Sequence, residues 1–363
     1  MNTKDTLFFV GQCLTINHNG KNKNIIEKLL KGNTIDWDEV VKVSTGHFVF
    51  PALYCNLKRA NFLHYLPKEL VEYMMHITNL NRERNQQIIE QAKELNEVLL
   101  AHNITPIFLK GTGNLLEGLY EDIAERMVGD IDFIVSKKDY HKTIQILKKQ
   151  EYAMHKAEKI RRSFHWHYPR LVHPKKIAAV EVHNKILKKP FDHLFREDAI
   201  IQSAVIKSNY CFFSTNYKVL NAILPKIIND NLYYSYTVPM KTMYDVFLMT
   251  NNSDYKNSIA HKRVSKKFNN YLSCIKLVLN NPDTIIVENT RASKKYQKSY
   301  LLKVSNSKKI KMKSNIIHKF TKLYNYLFML KMSFIDKEYR DFTKKRILQV
   351  DLYRKILGLN TTH

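Results

Sequence analysis

The chain has 363 residues, of which 44% are hydrophobic and 25% charged, and it carries a formal net charge of +26. That length exceeds one small core and suits two or three packed units of ordinary globular composition. Nine glycines and nine prolines are too few for a loop-rich β-sandwich, and no apolar run approaches the ~18 residues needed to span a membrane; the longest, Tyr326 to Phe334, is interrupted by Lys331.

The charge attracts polyanions and steers their approach. The same excess also follows from a composition rich in Lys, Asn, Ile and Tyr, so charge alone selects neither fold nor chemistry. Cys13, Cys55, Cys211 and Cys274 form no metal-ligand or redox spacing, which suits free thiols in a reducing compartment. The apolar run Leu7-Phe8-Phe9-Val10 follows Asp5 and precedes no small-residue cleavage site. A cytoplasmic protein with no membrane partner is expected.

Taken in chain order, residues 1–75 read as a region of short helices. Ile25 to Leu30 has an apolar period, Asp36 is placed to cap a helix over Trp37 to Val43, and Pro67 opens another. A long helix is predicted over Ile77 to His102, with Ile88, Ala92, Leu95 and Leu99 on one apolar stripe. Its other faces are charged and amide-rich.

The pattern changes within 76–194. Thr105 to Leu109 reads as a buried strand ending in the turn Lys110-Gly111-Thr112-Gly113. Asn114 to Glu125 has helical spacing, Asp130 to Val135 reads as a strand, and Asp139 to Lys149 as a surface helix. Ser163 to His167 and Ile177 to His183 are further strand-like pieces. This order predicts a small mixed α/β core. Residues 195–363 return to helical periods, with Tyr217 to Ile228 and Met240 to Met249 the clearest, and become strongly basic beyond 256.

The chemistry concentrates around Gly129-Asp130-Ile131-Asp132. Strand alternation puts Asp130 and Asp132 on one face, about 7 Å apart at Cα, and turns Ile131, Phe133 and Val135 into the core. Two carboxylates so placed repel each other unless they share a cation. Oxygen ligands of this kind suit Mg²⁺, and two ions about 3.5–4 Å apart clamp the attacking and leaving oxygens of a phosphoryl transfer.

Glu181 is an isolated acid on the apolar strand Ala178 to His183. It reads either as a third metal ligand and base for an incoming nucleophile, or as an edge-strand acid facing water. His183 shares its face and is a candidate supporting partner to a ligand. Lys110, Gly111 and Thr112 open a helix whose backbone amides are placed to hold phosphate oxygens. Arg126 suits either a triphosphate or a nearby acid. His165 and His167 would share a strand face, with His173 nearby, but no further zinc ligand is evident.

These residues resemble a family of bacterial nucleotidyltransferases, similar to the polymerase-beta-like superfamily. The resemblance rests on Phe108-Leu109-Lys110-Gly111, Leu119-Tyr120, the run Arg126 to Val135, and Val180-Glu181-Val182-His183. Ile35-Asp36-Trp37 and Pro51-Ala52-Leu53-Tyr54 look like the family's helical lead-in. The similarity covers about residues 30 to 250, and the basic tail has no counterpart in it.

It implies an α+β fold, with a small mixed sheet flanked by N- and C-terminal helical regions. It implies Asp130, Asp132 and Glu181 as metal carboxylates, and Gly111 with Thr112 as the phosphate loop. The implied activity is Mg²⁺-dependent transfer of a nucleoside monophosphate from an NTP such as ATP to an RNA end, a protein hydroxyl or a small molecule. The alternative is a catalytically silent relative that binds nucleic acid or a partner protein.

Overall fold

The computed structural model describes residues 1–155, 166–251, 259 and 261–347. The chain opens with four helices, α1 (Thr3–Cys13), α2 (Gly20–Lys31), α3 (Trp37–Gly46) and α4 (Phe50–Arg59). Their starts are set by local chemistry: the side chains of Asn2, Asn19 and Asp36 accept first-turn amide hydrogens, and Pro51 stands in the first turn of α4. The next helix, α5 (Lys68–Leu100), is continuous from the proline-initiated turn, so the two predicted segments are one helix of 33 residues. Ile88, Ala92, Leu95 and Leu99 are all buried on it, as their spacing predicts.

The sheet is built from β1 (Ile107–Phe108), β2 (Asp130–Ile134), β3 (Ala153–Met154), β4 (Leu171–Val172), β5 (Ala179–His183), β6 (Val205–Lys207) and β7 (Tyr210–Phe212). The strand order is β3-β4-β5-β2-β1-β7-β6. β2 runs parallel to β5 and antiparallel to β1. Ile131, Phe133, Val180 and Val182 are fully buried beneath these central strands. The sheet continues beyond residue 194, because β7 pairs in parallel with β1. His167 forms an isolated bridge to His183; Ser163, Phe164 and His165 of that strand-like piece lie outside the described residues.

Around the sheet lie α6 (Lys110–Glu117), α7 (Tyr140–Lys149), α8 (Glu197–Gln202), α9 (Thr215–Ile228) and α10 (Met240–Asn251). They are followed by α11 (Lys262–Val278), α12 (Arg291–Val304), α13 (Lys308–Ile335) and α14 (Lys337–Ile347). The helix expected over Asn114 to Glu125 ends early. Gly118 takes a left-handed conformation at φ 78° and stops α6, and Asp122 then caps a short turn over Ile123–Glu125. This segment is held from outside instead: Asn81 and Asn85, buried on α5, donate to the carbonyls of Ala124 and Ile123, each at 2.6 Å. Among the described residues no helix is long and apolar enough to cross a membrane, and the four cysteines are free and buried.

Candidate active site

Two strands carry the acids. β2 and β5 pair with Asp132 opposite Glu181 and Ile134 opposite His183. In-register neighbours of parallel strands point to the same face, so Asp130, Asp132, Glu181 and His183 emerge together. Both strand starts are fixed by α5. Gln91 grips the backbone of Ala178, one residue before β5, and Asn85 also donates to the carbonyl of Arg126, at 2.7 Å, on the approach to β2.

The acids are drawn together by Lys110. Its Nζ lies 2.5 Å from Asp132 Oδ1 and 3.6 Å from Glu181 Oε2. His183 Nε2 lies 3.0 Å from the same Asp132 oxygen and 3.6 Å from the same Glu181 oxygen. Its Nδ1 faces the Lys185 carbonyl at 3.3 Å. Both ring nitrogens thus meet acceptors, which favours the doubly protonated ring.

The electrostatics follow. Burial raises the pKa of Asp130, and the charges of Glu181 and Asp132 raise it further. Burial pushes Glu181 up too, but the hydrogen bond from His183 and the Lys110 charge outweigh it and hold this carboxyl well below the usual range. For His183, burial and Lys110 act downward, and the bonds to Asp132 and Glu181 carry the pKa above its ordinary value.

Ligand atoms of Asp132, Glu181 and His183 lie within 4.8 Å of one another. Two carboxylates and an imidazole converging in this way fit a divalent cation. Asp130 stands on the same strand face, outside that tight group.

The turn before α6 brings Lys110 to this position. Lys110 is a non-glycine residue at φ 51°, a left-handed conformation that costs energy and is concentrated at functional sites. Gly113 is required by packing, since a Cβ there would meet the Phe108 carbonyl oxygen at 2.8 Å. Gly111 lies against Val128 and the Arg126 guanidinium.

The Thr112 side chain turns away from the cleft. It is fully buried, and its hydroxyl donates to the Asp130 carbonyl at 2.8 Å, tying α6 to β2. Of the two partners expected for Arg126, the acid is present: Nε bonds to Asp245 on α10 at 3.0 Å, and Tyr120 donates to the same carboxylate at 2.7 Å. Arg126 still lines the cleft. His167 packs its ring 5.3 Å from that of His183, while His173 is drawn off to Glu151 at 3.6 Å.

The carboxylates open into a cavity of about 300 Å³ walled on its far side by α9 and α10. Three lysines face it that sequence reading missed. Lys218 is bound to Glu117 at 2.7 Å and Lys226 to Asp230 at 2.8 Å. Lys241 lies over the Phe48 ring, 4.5 Å from its centroid. Burial pushes its pKa down to about 8, with repulsion from Arg126 and Lys226 adding to the effect. A basic residue four positions before Asp245 on a predicted helix was the available signal.

A mixed sheet presenting a buried acid and histidine cluster on one face of a parallel strand pair fits a nucleotidyl-transfer role. A family model described as uncharacterised nucleotidyltransferase matches residues 33–261, and the chain belongs to that family. No curated protein and no solved structure matches the chain.

Proposed function

We propose that the protein is a Mg²⁺-dependent nucleotidyltransferase that moves a nucleoside monophosphate from an NTP to an acceptor hydroxyl. The observation that carries this reading is the side-by-side placement of Asp132 and Glu181 in the β2–β5 register, with Asp130 on the same face. The acceptor oxygen attacks the α-phosphorus, the bond from that phosphorus to the bridging oxygen breaks, and pyrophosphate leaves. A divalent cation held by Asp130, Asp132 and Glu181 would neutralise triphosphate charge and polarise the α-phosphate.

The chain's own groups do the rest. The first-turn amides of α6 at Lys110, Gly111 and Thr112 have no intrahelical partners and meet phosphate oxygens at the positive end of the helix dipole. Lys110 exchanges its carboxylate contacts for phosphate when the nucleotide enters. Lys241 carries positive charge on the opposite wall, and Arg126 carries it beside Gly111. Glu181, once Lys110 has moved to phosphate and no longer depresses its pKa, is the acceptor for the hydroxyl proton. His183 orients Asp132 through its 3.0 Å contact.

One feature favours the rival reading of a silent relative: Lys110 already neutralises Asp132 and Glu181. The two readings separate when the protein is incubated with labelled NTPs, Mg²⁺ and cell extract beside an Asp130→Ala/Asp132→Ala variant. Metal-dependent labelling that disappears in the variant is expected. Labelling that survives there removes the site assignment, and no labelling with any NTP leaves the silent module.

A further inference from the structure

A second cavity, of about 460 Å³, adjoins the first, and Trp166 and Asn229 line both. One wall is the Lys188–Phe191 turn and the other is α13, which contributes Lys322, Tyr324, Tyr326 and Phe328. Large aromatic side chains are usually covered, yet Tyr324 is 62% and Tyr326 48% exposed here. Phe328 stacks on Tyr324 with ring centroids 6.4 Å apart. Exposed rings interleaved with lysines are what a strand of bases and phosphates requires: the rings stack bases regardless of sequence, and the cations track the backbone.

Along α12 and α13 the charge is one-signed. From Asn289 to Ile335 the chain has many lysines and no acidic residue. Of the carboxylates near this wall, Asp336 is bound to Lys189 at 2.8 Å, and Asp192 and Glu338 also act on Lys189. Lys188 has its pKa pushed down to about 8, by burial first, with Asp230 attracting it and Lys267 repelling it. It is a buried cation that an incoming phosphate would relieve.

The geometry points to this groove as the seat of a single-stranded nucleic-acid acceptor, whose end passes Trp166 and Asn229 to reach Asp130, Asp132 and Glu181. The reaction at that end rests on the nucleotidyl-transfer reading; the binding does not.

The test is fluorescence anisotropy of short labelled single-stranded RNA and DNA of one mixed sequence, with the full chain. Lys322→Glu/Tyr326→Ala alters two exposed positions one helical turn apart and leaves the core untouched. The variant is expected to bind about tenfold more weakly, and wild-type affinity is expected to fall steeply between about 50 and 200 mM salt. The RNA and DNA arms show which strand the groove prefers, since only RNA offers a 2′-hydroxyl.

Absence of oligonucleotide binding, binding indifferent to the groove variant, or binding indifferent to salt each overturns the assignment. The first would mark the exposed apolar face of α13 as a protein-docking surface. If the groove binds as expected but no nucleotide is ever transferred, the reaction falls and the groove stands. If a nucleotide is transferred to a protein while oligonucleotides do not bind, the groove alone falls.

Discussion

Gln91 holds Ala178 as a neighbouring strand would: its Nε2 donates to the Ala178 carbonyl at 2.9 Å and its Oε1 accepts from the Ala178 amide at 3.0 Å. A side chain on the longest helix thereby fixes where β5 begins, and so where Glu181 and His183 emerge. Replacing it with Gln91→Leu keeps the volume and leaves two buried backbone groups unpaired. At roughly 1–3 kcal/mol for each unsatisfied group, a loss of about 2–6 kcal/mol is expected in urea unfolding. Activity should drop beyond what the unfolded fraction explains, because Glu181 loses its register. A loss below about 0.5 kcal/mol would mean that water replaces the amide.

Lys110 and a divalent cation compete for the same two carboxylates. Lys110→Met removes the ammonium and leaves the negative charge of Asp132 and Glu181 unopposed. Titration calorimetry with Mn²⁺, without nucleotide, should show binding about tenfold tighter than wild type, as expected for losing a like charge within a few ångströms at a partly solvated site. Asp132→Asn should weaken it by at least as much. Nucleotide transfer by Lys110→Met should fall despite the tighter metal, because the phosphate contact is gone. Unchanged Mn²⁺ affinity would show that no cation enters between these acids.

Lys241 predicts a pH dependence. Its pKa lies near 8 because burial disfavours the charge and Arg126 and Lys226 repel it, with Asp245 and Asp130 only partly compensating. Below that pH the ammonium is charged and attracts a triphosphate; above it the charge is lost. Affinity for a non-hydrolysable NTP should therefore fall as pH rises through about 8, with proton uptake on binding visible as a buffer-dependent heat. Lys241→Arg stays charged throughout and should flatten the profile. A decline of equal size in that variant would assign the titration elsewhere.

The parts of the site that were legible in sequence are those set by short-range pattern. Alternation in Asp130-Ile131-Asp132-Phe133 fixes which residues face the cleft and which enter the core, and an isolated Glu181 on an apolar strand is conspicuous for the same reason. The register that puts Asp132 beside Glu181 is not local, because parallel strands far apart in sequence are aligned by what packs around them, here the amides of Asn85 and Gln91. The bond of the Thr112 hydroxyl was not legible because a hydroxyl in a glycine-rich turn has two possible partners, and the backbone of Asp130 claims it. Lys241 and Asp245 were passed over because the apolar period of α10 accounts for the helix without them. Asn114 to Glu125 keeps a helical period, yet Gly118 and the capping Asp122 end the helix, and the apolar residues beyond turn inward by another route.

Gly113 and Gly129 flank the site and should differ sharply. A methyl at Gly113 would stand 2.8 Å from the Phe108 carbonyl oxygen and 2.9 Å from its carbon, whereas one at Gly129 would meet nothing within 4 Å. Backbone yields less than a side-chain tip, so Gly113→Ala must lift α6 off β1. That should cost about 1–3 kcal/mol in thermal or urea unfolding and move Lys110 away from Asp132, so nucleotide affinity falls with stability. Gly129→Ala should leave stability within about 0.5 kcal/mol. Its space opens onto the cleft beside Asp130, so any loss of NTP affinity there, with stability unchanged, would place the nucleotide against the Gly129 backbone. Equal unfolding midpoints for the two variants would show that α6 can shift along β1 without cost, and that the close approach at Gly113 does not hold the turn in place.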